Sequence, residues 1–123
     1  MPNATIRKIL GEVGEKAAAA YLETYGFEIL AKNWKIKLGE LDIVVKKDGV
    51  FHFVEVKTQP HREAFRPEDL FDFKKRRKLK RLAQAYLISR RIPLDSHWQI
   101  DLIAVELDGW GNVKEIRHLP QVT

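Results

Sequence analysis

The spacing of apolar and polar positions along the chain predicts seven elements in the order αβββαββ. A helical repeat covers residues 9–25 and ends at Gly26, a residue type favoured just after the last helical turn. A second repeat covers residues 72–91, with Asp72 as its N-cap. Stretches rich in Val, Ile and Phe predict strands at residues 27–34, 40–46, 50–58, 98–107 and 113–119.

These elements predict an α/β fold in one domain, residues 1–123, with helices packed against a mixed sheet. Asp48-Gly49 predicts a tight hairpin turn between the second and third strands. Residues 59–71, with two prolines, predict a loop. The second helix has a predicted buried stripe of Leu79, Leu82, Ala83 and Tyr86. In the first helix, Val13, Ala17 and Ala20 form one apolar stripe, and Glu15 shares another face with Ala18, Ala19 and Leu22, which is consistent with pointing at the sheet. Gly11 and Gly14 would let the first helix approach another element closely.

Two of the predicted strands carry charged residues among apolar ones. The third strand has Glu55 and Lys57, which strand alternation places on one face. The same rule places Glu40 and Asp42 of the second strand on one face. The apolar residues of the second strand divide between its two sides, with Leu41, Ile43 and Val45 on one and Val44 on the other. The second strand is therefore predicted to lie in the interior.

Charged groups in such a place are costly unless they are paired or bind a metal. Lys57 can neutralise only one of the three acids. Mg²⁺ binds through one or two carboxylates and water, so Asp42 and Glu55 on neighbouring strands are the predicted ligands, with Mn²⁺ as the expected substitute. Such a metal activates a bound water, and Lys57 would hold that water or neutralise charge developing on phosphorus. The alternative is a cross-strand network of salt bridges among Glu40, Asp42, Glu55 and Lys57.

A basic segment, residues 74–81, follows in the second helix. Seven of its eight residues are basic: Lys74, Lys75, Arg76, Arg77, Lys78, Lys80 and Arg81. Such a cluster neutralises phosphates and predicts nucleic-acid binding, with a solvated helical face as the alternative. The net charge of +5 agrees with a polyanionic partner.

Other features of the sequence exclude some classes of function. The chain has no cysteine, which excludes thiolate chemistry. It has no apolar run of membrane-spanning length and no secretory signal, so a cytoplasmic protein without a membrane partner is expected. The four histidines lack metal-ligand spacing and receive no chemical role, and Asp101 is expected to support the sheet.

The charged strand residues resemble the PD-(D/E)xK nuclease superfamily, with Asp42 as the first acid and Glu55-Val56-Lys57 as the E-x-K element. Over nearly its whole length the chain resembles the YraN family of bacterial proteins. The matching stretches are residues 14–22, 26–27, 33–34, 39–44, 53–58 and 100–103. Gln59 departs from the family pattern, which often has arginine there, and the proline of the superfamily name is absent before Asp42.

The resemblance implies a restriction-endonuclease-like three-layer sandwich, with a central mixed sheet flanked by helices. It also implies a helical glutamate near the metal, as in archaeal Holliday-junction resolvases, and Glu15 lies at that position. A glutamate favoured by the helix dipole is the alternative. Glu40 is expected to be auxiliary.

The implied activity is metal-dependent endonucleolytic hydrolysis of phosphodiester bonds in DNA, with branched or damaged DNA as candidate substrates. A non-catalytic nucleic-acid-binding protein that keeps the nuclease fold is the alternative. A purely structural protein would leave the interior acids unexplained. A homodimer is left open by the sequence.

Overall fold

A computed structural model describes residues 3–59 and 72–122, which form helices and strands in the predicted order αβββαββ. The elements are α1 (Ala4–Thr24), β1 (Glu28–Ile36), β2 (Gly39–Lys47), β3 (Val50–Gln59), α2 (Phe73–Ser89), β4 (Trp98–Leu107) and β5 (Val113–Leu119). The predicted loop lies outside the described residues, except that Gln59 belongs to β3.

Side-chain caps fix where the helices begin. Asp72 accepts a hydrogen bond from the Lys75 backbone N–H at 2.8 Å, which confirms the predicted N-cap of α2. Asn3 accepts from the Ile6 N–H at 2.9 Å, so α1 begins five residues before the predicted start at residue 9. Gly26 follows α1 with φ +87°, as its place after the last turn predicts. Neither of the helices described here is long and apolar enough to cross a membrane.

The five strands form one mixed sheet in the order β1-β2-β3-β4-β5. The β3–β4 pair is parallel, and the other neighbouring pairs are antiparallel. Asp48 and Gly49 join β2 to β3 with φ values of +50° and +79°. The favoured two-residue turn between antiparallel strands requires a positive φ at both of its residues. The predicted hairpin is therefore confirmed.

Helix α2 covers one face of the sheet with its predicted stripe. Leu79, Leu82, Ala83 and Tyr86 are all buried and pack on a sheet face that includes Leu41, Val44, Phe53 and Leu102. Helix α1 covers the other face, which includes Ile43, Val45, Val54 and Ile103. The sheet is therefore the middle layer of a three-layer sandwich, as the sequence predicts.

The buried face of α1 is the predicted face of Ala18, Ala19 and Leu22, and the apolar stripe of Val13, Ala17 and Ala20 is only partly covered. Ala20 is exposed, and the buried residues are Gly14, Ala18, Ala19 and Leu22. The helix is turned in this way because Gly14 lies directly against Thr58 of β3, where a Cβ atom would collide with the Thr58 side chain. The close approach predicted for the glycines is therefore confirmed for Gly14, whereas Gly11 has open space around it.

The predicted division of β2 between two faces is wrong at one residue. Leu41 packs in the α2 layer with Val44, whereas Ile43 and Val45 pack in the α1 layer. The alternation breaks opposite Asn33 of β1, which has φ +51° and lies between the residues paired with Ile43 and Leu41. A residue with this left-handed conformation interrupts the regular pleat of β1. The neighbouring strand β2 loses its regular alternation of side chains at the same place.

The strands β2 and β3 separate at one end of the sheet. Their ladder runs from the Lys47–Val50 pair to the Ile43–Val54 pair and stops there, although β3 stays paired with β4 as far as Gln59. Just beyond the last pair, the Asp42 carboxylate accepts a hydrogen bond from the Val56 N–H at 2.8 Å. We call this separation, flanked by Asp42 and Glu55, the fork.

Candidate functional site

The fork gathers acidic side chains from three elements. Asp42 comes from β2, Glu55 from β3 and Glu15 from α1, whose close contact at Gly14 brings the neighbouring residue to the sheet. The Asp42 carboxylate accepts from the Val56 N–H and lines the same depression as Glu15. Together with Glu40 at the beginning of β2, these residues form the acidic cluster: Glu15, Glu40, Asp42 and Glu55.

Asn33 connects two members of the acidic cluster. With its amide nitrogen turned towards the carboxylates, it donates to Glu40 at 2.9 Å and to Glu15 at 3.2 Å. The left-handed backbone that breaks the strand alternation thus also places an amide donor at the fork. Sequence reasoning assigned no role to Asn33, although Asn is one of the few residue types that adopt this conformation readily.

Crowding of carboxylates changes their ionisation. Burial raises the pKa of Asp42 to about 7, with repulsion from Glu55 as the next contribution, while the Val56 hydrogen bond acts in the opposite direction. Burial also raises the pKa of Glu15, and the negative charges of Glu40 and other acids add to this effect. Burial and repulsion together thus favour the protonated form of Asp42, and a carboxyl group perturbed in this way is a candidate for a functional site.

Two open depressions lie at the acidic cluster. The first has a volume of about 270 Å³, and its lining includes Glu15, Asn33 and Asp42. The second has a volume of about 430 Å³ and lies between the sheet and α2; its lining comprises Glu40, Glu55, Asp72, Lys74, Lys75, Lys78, Leu79 and Leu82. Glu40 and Asp42, predicted to share a face, therefore line different depressions. The acids lie where solvent and ligands can reach them.

Val54 and Val56 of β3 pack towards α1. Because side chains alternate along a strand, Glu55 and Lys57 lie on the opposite side, towards α2. Both side chains are half-buried. The cation that reaches Glu55 is not Lys57 but Lys75 of α2, whose Nζ lies 3.3 Å from Glu55 Oε1. The salt-bridge alternative is thus realised for Glu55, through a partner that the sequence did not identify.

The basic segment of α2 lies beside the same site. Lys74, Arg77, Lys78, Lys80 and Arg81 are exposed, Lys75 and Arg76 are half-buried, and Leu79 faces the core as expected. The stem of Lys78 packs over Gly39, next to Glu40. The structure therefore brings the basic segment and the acidic cluster, predicted separately, to adjoining surfaces.

The residues at the fork offer a cation a limited set of ligands. Within residues 3–59 and 72–122, no three Asp, Glu or His side chains are placed to hold a metal ion together. Mg²⁺ does not require three, because it keeps several waters and commonly uses one or two carboxylates. Asp42 and Glu55 line different depressions, but they lie on neighbouring strands and their charges interact, so the pair fits that requirement chemically.

A second polar cluster, missed by sequence reasoning, surrounds Asp101 on β4. The side chain is fully buried, and His52 Nδ1 and His118 Nε2 lie 2.7 Å and 2.8 Å from its Oδ2. Because a carboxylate only accepts hydrogen bonds, both ring nitrogens carry hydrogen. Gln99 and the Gln121 N–H donate to the other oxygen. Asp101 thus ties three strands and the chain after β5 together.

The ionisation of Asp101 is opposite to that of Asp42. Burial works against its charge, but the hydrogen bonds from His118, His52, Gln121 and Gln99 outweigh burial and hold the pKa of Asp101 well below its usual range. Its charge is fully satisfied within the protein. The expected supporting role of Asp101 therefore agrees with its surroundings, in contrast to the raised pKa of Asp42 at the fork.

The fold and the fork define a class of protein: a three-layer α/β sandwich with acidic residues where two central strands separate. Residues 14–105 match the family described as "Uncharacterised protein family UPF0102". The chain belongs to this family, which confirms the resemblance to YraN proteins.

Relatives in this family match nearly the full chain. A UPF0102 protein of Pelotomaculum thermopropionicum is 40% identical over 94% of this chain and 95% of its own length. Those of Chloroflexus aurantiacus and Roseiflexus castenholzii are 38% and 36% identical, over 94% and 93% of this chain and 92% of their own lengths. The similarity therefore extends over nearly the whole length of the chain.

The raised pKa of Asp42 makes a prediction about stability. Because the folded protein holds this proton more tightly than the unfolded chain does, with an ordinary pKa of 3.8, the free energy of unfolding falls as pH rises from about 4 to beyond 7. We expect Asp42→Asn to raise the free energy of unfolding by about 1–3 kcal/mol at pH 8 and to change it little at pH 4. Urea unfolding in EDTA at the two pH values measures this difference.

Asp101→Asn is the contrasting control. A lowered pKa contributes stability above the ordinary value of 3.8 that is lost as pH falls, so this variant should be less stable than the parent at pH 8. If Asp42→Asn were destabilised at pH 8 like Asp101→Asn, the acidic cluster would not carry unbalanced charge.

Proposed function

We propose that this protein is a metal-dependent nuclease that hydrolyses phosphodiester bonds in DNA. The observation that carries the proposal is that two surfaces of opposite charge, the acidic cluster and the basic segment, adjoin each other. Excess carboxylates at the fork, of which Asp42 has a pKa near 7, adjoin a helix with seven basic residues in one segment. A divalent cation is attracted by the first surface and a phosphate backbone by the second.

Asp42 and Glu55 are the residues that would hold the metal. Mg²⁺ is the proposed ion and Mn²⁺ a substitute, since both accept carboxylate and water oxygens. When bound, the metal would polarise the scissile phosphate and lower the pKa of a coordinated water. Binding would also relieve the repulsion between Asp42 and Glu55.

Other residues of the chain have roles that do not depend on metal coordination. Lys57 follows Glu55 on the same face of β3, where its ammonium group would neutralise charge developing at the phosphate or hold the attacking water. Glu15, which lines the same depression as Asp42 and whose pKa is raised by burial, would take up or release a proton during hydrolysis. Asn33 would keep Glu15 and Glu40 in place.

The basic segment would bind the DNA backbone. Its exposed side chains are separated from the acidic cluster only by the depression that Lys74 and Lys78 share with Glu55. Phosphate contacts of this kind position a duplex without reading its sequence, so little sequence preference is expected from α2. Branched or damaged DNA remains part of the proposal through the family resemblance alone.

A non-catalytic nucleic-acid-binding protein is the second candidate. The observation that favours it is the ion pair between Lys75 and Glu55, which neutralises a proposed metal ligand with a residue of the protein itself. In that case the basic segment would bind nucleic acid and the fork would serve the fold.

Cleavage assays separate the two candidates. We expect Mg²⁺ or Mn²⁺ to support nicking of at least one substrate among duplex, single-stranded and four-way-junction DNA. Asp42→Asn and Glu55→Gln should reduce nicking to background, because each loses one ligand charge. Lys57→Ala should slow nicking by about 10²-fold while metal binding persists, since both ligand acids remain.

Glu106→Gln is the matched control, because Glu106 is another half-buried carboxylate of the sheet paired with a lysine, Lys114, and it lines neither depression. It should cleave like the parent. Metal binding without cleavage of any substrate would support the second candidate instead.

The proposed role of α2 predicts a specific salt dependence. Lys78→Ala together with Arg81→Ala should weaken binding to duplexes of unrelated sequence equally and reduce the slope of log K against log salt by about 2. Fluorescence anisotropy over a salt series measures the slope. The control removes the same charge from exposed positions of α1, with Arg7→Ala and Lys8→Ala. Equal effects of the two double variants would show that α2 is only a solvated face.

A further inference from the structure

The ion pair between Lys75 and Glu55 joins the basic helix to the fork. The Nζ–Oε1 distance is 3.3 Å, and the side chains are 38% and 15% exposed. Lys75 lies in the first turn of α2, and its own backbone N–H donates to the capping side chain of Asp72. The lysine is therefore anchored at its backbone, whereas its ammonium group ends on an acid that a cation at the fork would use.

Two ligands of opposite charge would each compete with one member of this ion pair: a cation with Lys75 for Glu55, and a phosphate with Glu55 for Lys75. A divalent cation at Asp42 and Glu55 would stand close to the Lys75 ammonium and repel it. A phosphate entering the depression of about 430 Å³ would meet Lys74, Lys75 and Lys78 on one wall and Glu55 on the other. Neither ligand can use its part of the site fully while Lys75 and Glu55 remain paired.

We infer that Lys75 couples the two binding events. In the free protein it occupies Glu55; when a divalent cation takes Glu55, the ammonium group turns into the depression and contacts a DNA phosphate. This inference rests on the proposed function, and it assigns to Lys75 a positioning role. Metal and DNA should consequently bind with positive cooperativity, each raising the affinity for the other by the same factor.

Coupling through Lys75 differs from a general attraction between charges because it depends on one lysine. Any bound cation reduces the negative charge of the acidic cluster and so favours DNA in a general way. Lys74 lines the same depression, and it has no ion pair with Glu55. Removing Lys74 should therefore weaken DNA binding whether or not metal is present, whereas removing Lys75 should also change metal binding in the absence of DNA.

Calorimetric titration of Mg²⁺ into the protein without DNA is the first test. Lys75→Met keeps the aliphatic stem and removes the charge that competes for Glu55, so Mg²⁺ should bind about threefold to fivefold more tightly than to the parent. Lys74→Met, the matched control, should change the affinity by less than about twofold. If Lys75→Met raised the Mg²⁺ affinity no more than Lys74→Met does, the inference would be overturned.

Anisotropy of a fluorescein-labelled DNA duplex, with and without Mg²⁺, is the second test, and a denaturing gel checks that the duplex stays intact. The ratio of the two DNA affinities should fall in Lys75→Met by the factor found calorimetrically and stay unchanged in Lys74→Met. If Mg²⁺ and DNA both bind but the ratio is unchanged in Lys75→Met, the inference fails and the proposed function stands. If the parent protein binds no Mg²⁺ or no DNA, the proposed function fails and the inference with it.

Discussion

Repulsion among carboxylates at the fork is the constraint on which the functional account depends. The sheet is covered on both faces by apolar layers, yet it holds Asp42 and Glu55 close enough for their charges to interact where β2 and β3 separate. The Val56 N–H donates to Asp42 and offsets part of the cost, and Asn33 donates to the neighbouring glutamates. These donors do not offset burial and repulsion together, because the pKa of Asp42 remains near 7. A divalent cation at the fork, as proposed above, would relieve the repulsion.

Asp101 shows that the same sheet can satisfy a buried carboxylate completely. Two imidazole rings, a side-chain amide and a backbone N–H surround it, and its pKa is held low. Its cluster lies on the α1 side of the sheet, where Phe27 packs edge-on against both rings. A closed set of donors around one acid is typical of a structural role, whereas several acids short of donors at an open depression are typical of a binding site. This contrast is the reason why the proposed function is assigned to the fork.

Much of this architecture follows from local sequence patterns. The order of elements, the Asp48-Gly49 turn, the Asp72 cap and the buried stripe of α2 all depend on residues close together in the chain. The acids of the fork could also be recognised, because charged residues within apolar strands are conspicuous. The exposed Ala20, the layer of Leu41 and the partners of Asp101 and Glu55 could not be predicted in this way. They depend on where Gly14 meets β3, on the backbone of one residue, Asn33, and on the register that brings His52, His118 and Lys75 to distant acids.

A crystal soaked in Mn²⁺ and measured at the manganese absorption edge would test the central claim most directly. The account predicts an anomalous peak at the fork within coordinating distance of both Asp42 and Glu55, together with loss of the 3.3 Å contact between Lys75 and Glu55. The peak should be absent from crystals of Asp42→Asn grown and soaked in the same way. A fully soaked crystal with no peak at the fork, and with Glu55 still paired with Lys75, would contradict the account.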